Sequence, residues 1–162
     1  MLAVLYGTGM RRAELAGLDV ADLNLLDGSI LVRNGKRRKQ RTVYLTPEGV
    51  GLVERWLQAR GEEAGPLFCP IRQNGEIPIR RMGGESVAFI LRRRQEQAGS
   101  ATFTPHDLRR TFVSSLLESG VDVFTVQKLA GHAEPATTAR YDRRGDTAKR
   151  KAAQSLSLPL CA

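Results

Sequence analysis

Residues 28–45, GSILVRNGKRRKQRTVYL, decide the fold class. Gly28 to Arg33 reads as a strand. Arg41 to Leu45 reads as its partner, with polar and apolar residues alternating. Asn34-Gly35 between them is a tight-turn dipeptide, because both central positions of a primed turn need a positive φ. The stretch is therefore an antiparallel hairpin with a cationic tip.

Helical signals surround it. Leu2 to Tyr6 reads as the end of a helix, stopped near Gly7-Thr8-Gly9. A second helix is expected from Met10 to Leu18, with Leu15 and Leu18 at helical spacing, and VADLNL starts a further turn at Asp19. Thr46-Pro47-Glu48 is a cap followed by proline at the first helical position, opening a helix from Glu48 to Arg60. Val50, Val53 and Leu57 lie on one face of it. Pro66 to Ile79 reads as loop and short strand. Ser86 to Ala98 is a helix with Val87, Ile90 and Leu91 inward and three arginines across its surface. Thr104-Pro105 repeats the cap for a helix from His106 to Ser119. Val121 to Leu129, Thr137 to Arg143 and a basic amphipathic tail from Thr147 to Leu156 complete the chain. There are no internal repeats. The expectation is one α+β domain over 1–162, mostly α with a small antiparallel β-sheet. Helical, apolar sequence begins at residue 1, and this abrupt opening reads as a fragment with an upstream part missing.

Composition bounds the function. The 162 residues suffice for one ordinary domain. Lys plus Arg number 25 against 17 Asp plus Glu, a net charge of +8, which favours a polyanionic partner. The two cysteines, Cys69 and Cys161, lack metal-knuckle spacing and fit a reducing setting. No stretch has the length of a signal or membrane segment. A cytoplasmic, membrane-free protein is expected.

Several short motifs carry chemistry. His106 and Arg109 in TPHDLRRTF lie one helical turn apart, hence on one face. Arginine binds phosphate oxygens bidentately, and histidine donates a hydrogen bond or moves a proton. Alone, HxxR also describes an ordinary surface pair. His132 follows Gly131 in LAGHAEPATTARY, and Tyr141 comes nine residues after it; singly, these read as a C-cap histidine and a half-buried core tyrosine. Arg11 follows two glycines in GTGMRRAELAGL, with Glu14 at i+3 to orient it by a salt bridge. The hairpin carries Lys36, Arg37, Arg38, Lys39 and Arg41. The plain reading is a solvated turn; the functional one is a DNA-contacting finger with a lysine that reaches a phosphate.

Taken in order, GTGMRRAEL, NGKRRKQRTVYL, HDLRRTF, LAGH and TTARY resemble the tyrosine recombinases, the family of phage integrases, Xer-type resolvases and integron integrases. The resemblance runs from about residue 3 to about 156. It implies the catalytic-domain fold of that family and cleavage and rejoining of double-stranded DNA through a 3′-phosphotyrosyl link. It also implies roles. Arg11 and Arg109 would clamp the scissile phosphate. His106 would assist proton transfer, and His132 would hydrogen-bond the phosphate. Lys36, with Lys39 as its rival, would protonate the departing 5′ oxygen. Tyr141 would be the nucleophile, Glu14 a supporting residue, and Arg37, Arg38, Lys39 and Arg41 DNA contacts. A free phenol ionises near pH 10, about three units above neutrality, so the nucleophile needs nearby cations. Those cations would stand in for a metal, and no cofactor is expected; no GxxxxGK[ST] is present.

The resemblance further implies a tetramer of subunits on DNA, with residues 145–162 docked on a neighbouring subunit; the plain reading of that tail is one that folds back on its own domain or frays, and a monomer is expected without DNA. Ala130 stands where the family often has a bulkier residue. The N-terminal helical domain common in the family has no counterpart here, which bears on affinity and site choice. Two other functions compete: a DNA-binding module that kept the fold without the activity, and a type IB topoisomerase-like enzyme.

Overall fold

A computed structural model describes residues 1–33 and 40–156. Eight helices and three strands are present among them. The first helices are α1 (Leu2–Thr8) and α2 (Arg12–Gly17), followed by a 3₁₀ turn at Val20–Asp22. The strands are β1 (Leu23–Asn24), β2 (Ser29–Val32) and β3 (Arg41–Tyr44). Then come α3 (Pro47–Arg60), α4 (Gly84–Ala98), α5 (Pro105–Glu118), α6 (Val123–Ala130), α7 (Pro135–Ala139) and α8 (Gly145–Gln154). The α+β reading holds, and the sheet is antiparallel in the order β1-β2-β3.

The hairpin register pairs Ile30 with Val43 and Val32 with Arg41. Alternation turns Ile30, Val32 and Val43 into the core, each at most 1% exposed. Burying such a side chain stabilises by roughly 1.5–3 kcal/mol. The cap-plus-proline starts are real. Thr46 Oγ1 accepts from Gly49 N at 3.2 Å, and Thr104 Oγ1 accepts from Asp107 N at 3.2 Å.

Two differences have simple causes. Strand β1 was not expected, because two residues carry no periodicity; it forms by pairing Leu23 with Ile30. The short strand expected within Pro66–Ile79 is absent, and only an isolated bridge joins Asp19 to Pro66. That segment is instead tied to α3, since Trp56 Nε1 donates to Leu67 O at 2.7 Å and Arg60 Nε to Pro66 O at 2.9 Å.

Apolar burial falls into two clusters. The larger joins α1, α2, the sheet, α3 and α4 through residues such as Leu5, Leu15, Ile30, Val53, Leu67 and Val87. The smaller consists of Val113, Leu117, Val126 and Ala130, with Phe112 and Tyr141 packed against it. Helix α5 belongs to both: Leu108 packs on the larger cluster, Val113 and Leu117 build the smaller. Arg109 lies between them, 5% exposed. No described helix is long and apolar enough to cross a membrane.

Candidate active site

The site sits where helix ends from both clusters meet. Arg11, at the N-cap of α2, is fixed by Glu14. The Glu14 carboxylate accepts from Arg11 backbone N at 2.7 Å and from its Nη1 at 2.8 Å. Nη2 of Arg11 reaches across the chain to donate to Gly131 O at 3.0 Å. This leaves the arginine one-third exposed at the mouth of a cleft.

Arg109 enters the same cleft from α5. Its Nη1 donates to Gly9 O at 2.7 Å. Gly9 caps α1 in the left-handed conformation, at φ 59°. A Cβ there would lie 2.2 Å from the Phe112 ring, so glycine is required both by the backbone and by the packing of α1 on α5. Burial, then the neighbouring Arg11 charge, lowers the Arg109 guanidinium to about 10. Its Nη2 is buried with no hydrogen-bond partner among the described residues.

His106 stands exposed at the rim, one turn before Arg109. The Thr104–Asp107 capping box sets that turn, with Asp107 Oδ2 accepting from Thr104 N at 3.0 Å. Arg11, His106 and Arg109 thus line one cleft of about 370 Å³, together with Arg12, Ala13, Thr104 and Pro105. The N-terminus of α5 opens onto it, an arrangement that favours an anion.

His132 comes directly after Gly131, whose carbonyl Arg11 holds, and Tyr141 stacks on it. Gly131, left-handed at φ 67°, ends α6 and turns His132 out. Nδ1 of His132 is 2.8 Å from Thr138 Oγ1, and Thr138 is wholly buried in α7. The imidazole is joined through this bond to the segment that leads to Tyr141. The two rings stack, with centroids 6.3 Å apart and planes at 20°. Burial, then Arg109, Arg11 and Arg41, lowers His132 to about 4, so it is neutral at pH 7.

The structure therefore brings together Arg11, His106, Arg109, His132, Tyr141 and Glu14. Lys36, Arg37, Arg38 and Lys39 lie outside the described residues. Arg41 is set differently from an exposed tip residue. It was grouped with the DNA-contacting tip, yet its side chain is only 10% exposed and turned inward. Nη1 and Nη2 donate to the two Glu14 oxygens at 3.0 and 2.8 Å, and Nε donates to Leu129 O at 2.9 Å. The signal was present in the sequence: Arg41 is two residues before Val43, hence on the inward face of its strand. The hydroxyl of Thr138 and the carbonyls of Gly9 and Gly131 were also missed. No side-chain pattern announces a backbone acceptor.

Burial pushes the Glu14 carboxyl up. Hydrogen bonds from Arg41 and from Arg11 N, with the Arg41 charge, outweigh this and hold it below its ordinary value. The carboxylate remains ionised between two guanidinium groups. Among the described residues, no three His, Cys, Asp or Glu side chains are grouped as metal ligands.

Comparison with known proteins agrees with the fold. The phage integrase family model matches residues 1–147. The tyrosine recombinase XerA of Pyrococcus furiosus is 34% identical over 143 residues, covering 88% of this chain and 49% of that protein. The crystal structure of XerA recombinase superposes with a TM-score of 0.75 at 31% identity, covering 96% of this chain and 57% of that one. XerH site-specific recombinase, bound to its difH substrate before cleavage, superposes at 0.72 with 27% identity, covering 95% and 45%. The chain spans about half the length of these relatives.

Proposed function

The chain belongs to the phage integrase family of tyrosine recombinases, and on that premise we propose that it is the strand-cleaving domain of a site-specific DNA recombinase. The observation that carries the proposal is the convergence of Arg11, His106 and Arg109 on one cleft, with the His132–Tyr141 stack starting directly after Gly131, whose carbonyl Arg11 holds.

The geometry suggests a division of labour. A phosphate diester in the cleft would take hydrogen bonds from Arg11 and from Arg109, whose buried Nη2 is suited to an oxygen. Both guanidinium groups are already aimed by carbonyl contacts, so little reorganisation is needed as charge builds on phosphorus. His132, neutral at pH 7, acts as a hydrogen-bond donor: in the tautomer whose Nδ1 accepts from the Thr138 hydroxyl, Nε2–H is left to donate to the phosphate. Tyr141 Oη attacks phosphorus, the bond to the 5′ oxygen breaks, and a 3′-phosphotyrosyl link forms. His106 relays the phenol proton, and Lys36 protonates the leaving 5′ oxygen. Rejoining is the reverse, with a 5′ hydroxyl as the nucleophile.

Partners and place follow from the same reading. Double-stranded DNA is the substrate, and the active unit is a tetramer of recombinase subunits assembled on it from monomers. Helix α8 supports exchange of residues 145–162 between subunits: of its described side chains, only Ala148 is half-buried. The protein works in the cytoplasm.

The test is covalent trapping. Nicked duplexes, randomised around the nick, lose the short 5′-hydroxyl piece on cleavage and strand the intermediate. Wild type is expected to give an adduct that survives denaturing electrophoresis, and Tyr141→Phe none. An adduct from Tyr141→Phe, or none from wild type on any duplex, refutes the proposal.

A further inference from the structure

We infer that Arg41 is a positioning residue, holding the Arg11–His132 edge of the cleft in register from behind. The inference rests on the recombinase reading above and assigns Arg41 a part in it other than touching DNA.

The bonds around Arg41 form a closed ring. Arg41 grips both oxygens of Glu14. Glu14 holds the backbone N and Nη1 of Arg11. Arg11 Nη2 bonds Gly131 O, and Arg41 Nε bonds Leu129 O two residues earlier. Strand β3, the start of α2 and the end of α6 are thereby locked together at one point. His132 is the next residue out of that end, and its N–H is bound to Gln127 O at 3.1 Å. A shift of the α6 terminus would therefore displace Arg11 and His132 together.

The guanidinium also has a seat. A Cβ on Gly131 would lie 2.8 Å from Arg41 Nη1 and 2.9 Å from its Cζ. Glycine before His132 thus serves the turn and makes room for Arg41 against the backbone. Charge points the same way. Glu14 alone with Arg11 would cancel the charge that the cleft needs. With Arg41 sharing the carboxylate, the trio keeps one net positive charge. A lysine cannot reproduce the role, since a single ammonium cannot fork onto a carboxylate while capping a carbonyl.

Single-turnover cleavage at saturating DNA separates positioning from contact. Arg41→Met and Arg41→Lys are each expected to slow it by about 10–100-fold, the usual effect of removing a supporting partner. DNA affinity should stay within about two-fold and its salt slope unchanged, whereas loss of a phosphate contact would lower the slope by about one. A second arm does not depend on cleavage. Inorganic phosphate, titrated while the Arg11 Nε–H resonance is followed, should bind Arg41→Met about ten-fold more weakly than wild type. If wild type never cleaves, the recombinase reading fails while this arm still judges Arg41. If the variants lose their fold, the wild-type Arg41 Nε–H decides: it should exchange slowly with solvent. Full activity in Arg41→Lys, weakened DNA binding at a normal cleavage rate, unchanged phosphate binding, or a fast-exchanging Arg41 Nε–H each overturns the inference.

Discussion

The two halves of the site are built to different standards. The arginine half rests on the large cluster: Leu5, Met10 and Leu15, beside Arg11 and Gly9, are at most 1% exposed. The tyrosine half rests on four buried residues, Val113, Leu117, Val126 and Ala130. Tyr141 itself is half-buried, and the segment after it, DRRGD, is mostly exposed. The proposed phosphate-binding groups, Arg11 and Arg109, are held by carbonyl contacts, while the proposed nucleophile, Tyr141, is held by its stack on His132 and by packing against the smaller cluster. Local stability follows the number of buried contacts, so the tyrosine half should open first.

The largest expected effect lies in the fixed half. Arg109→Lys should reduce single-turnover cleavage by about 10²–10³-fold, because a point charge cannot both hold Gly9 O and meet the phosphate. Near-normal cleavage would show that rigid aim does not matter there.

Next come the two glycines that carry the arginine anchors. Gly9→Ala should cost about 3 kcal/mol, combining left-handed strain with a collision against the Phe112 ring. Gly131→Ala should cost about half that on thermal melting, since its Cβ would meet the end of the Arg41 side chain and not an aromatic ring of the core, and should weaken cleavage more than stability. Equal losses of stability would erase the distinction between the halves.

A smaller effect separates the cores. Leu117→Ala should cost about 2 kcal/mol, the low end for a buried leucine, and should speed amide exchange in α6 and α7 before α1 and α2. Leu15→Ala should instead speed exchange throughout. Uniform exchange in both variants would mean a single cooperative unit.

The smallest concerns pH. His132 is lowered in the folded chain to about 4 against 6.5. Above pH 6.5 both states are neutral, and the contribution is complete. As pH falls from 6.5 towards 4, the unfolded state takes up the proton first, and stability is lost across that window. Denaturant titrations at pH 7 and 5 should show the loss, and His132→Gln should reduce it. A gain in stability on acidification would give the shift the wrong sign.

The sequence made the elements legible wherever local chemistry set them. Thr46-Pro47 and Thr104-Pro105 announced α3 and α5, and the alternation around Ile30 and Val43 announced the hairpin. HxxR placed His106 and Arg109 on one face because helical spacing is local. What remained hidden was long-range. No spacing shows that Arg109 meets Gly9 O or that Arg11 meets Gly131 O, which depend on how α1 packs on α5 and where α6 ends. Arg41 was grouped with the tip because a run of cations reads as one surface, although strand alternation turns its last member inward.

Mapping the trapped adduct tests the central claim most directly. The chain has three tyrosines, Tyr6, Tyr44 and Tyr141, and the first two are more than half exposed. Mass spectrometry of the protein–oligonucleotide adduct after proteolysis should find the nucleotide on Tyr141 alone. A nucleotide on Tyr6 or Tyr44, or on any residue other than a tyrosine, would contradict the account.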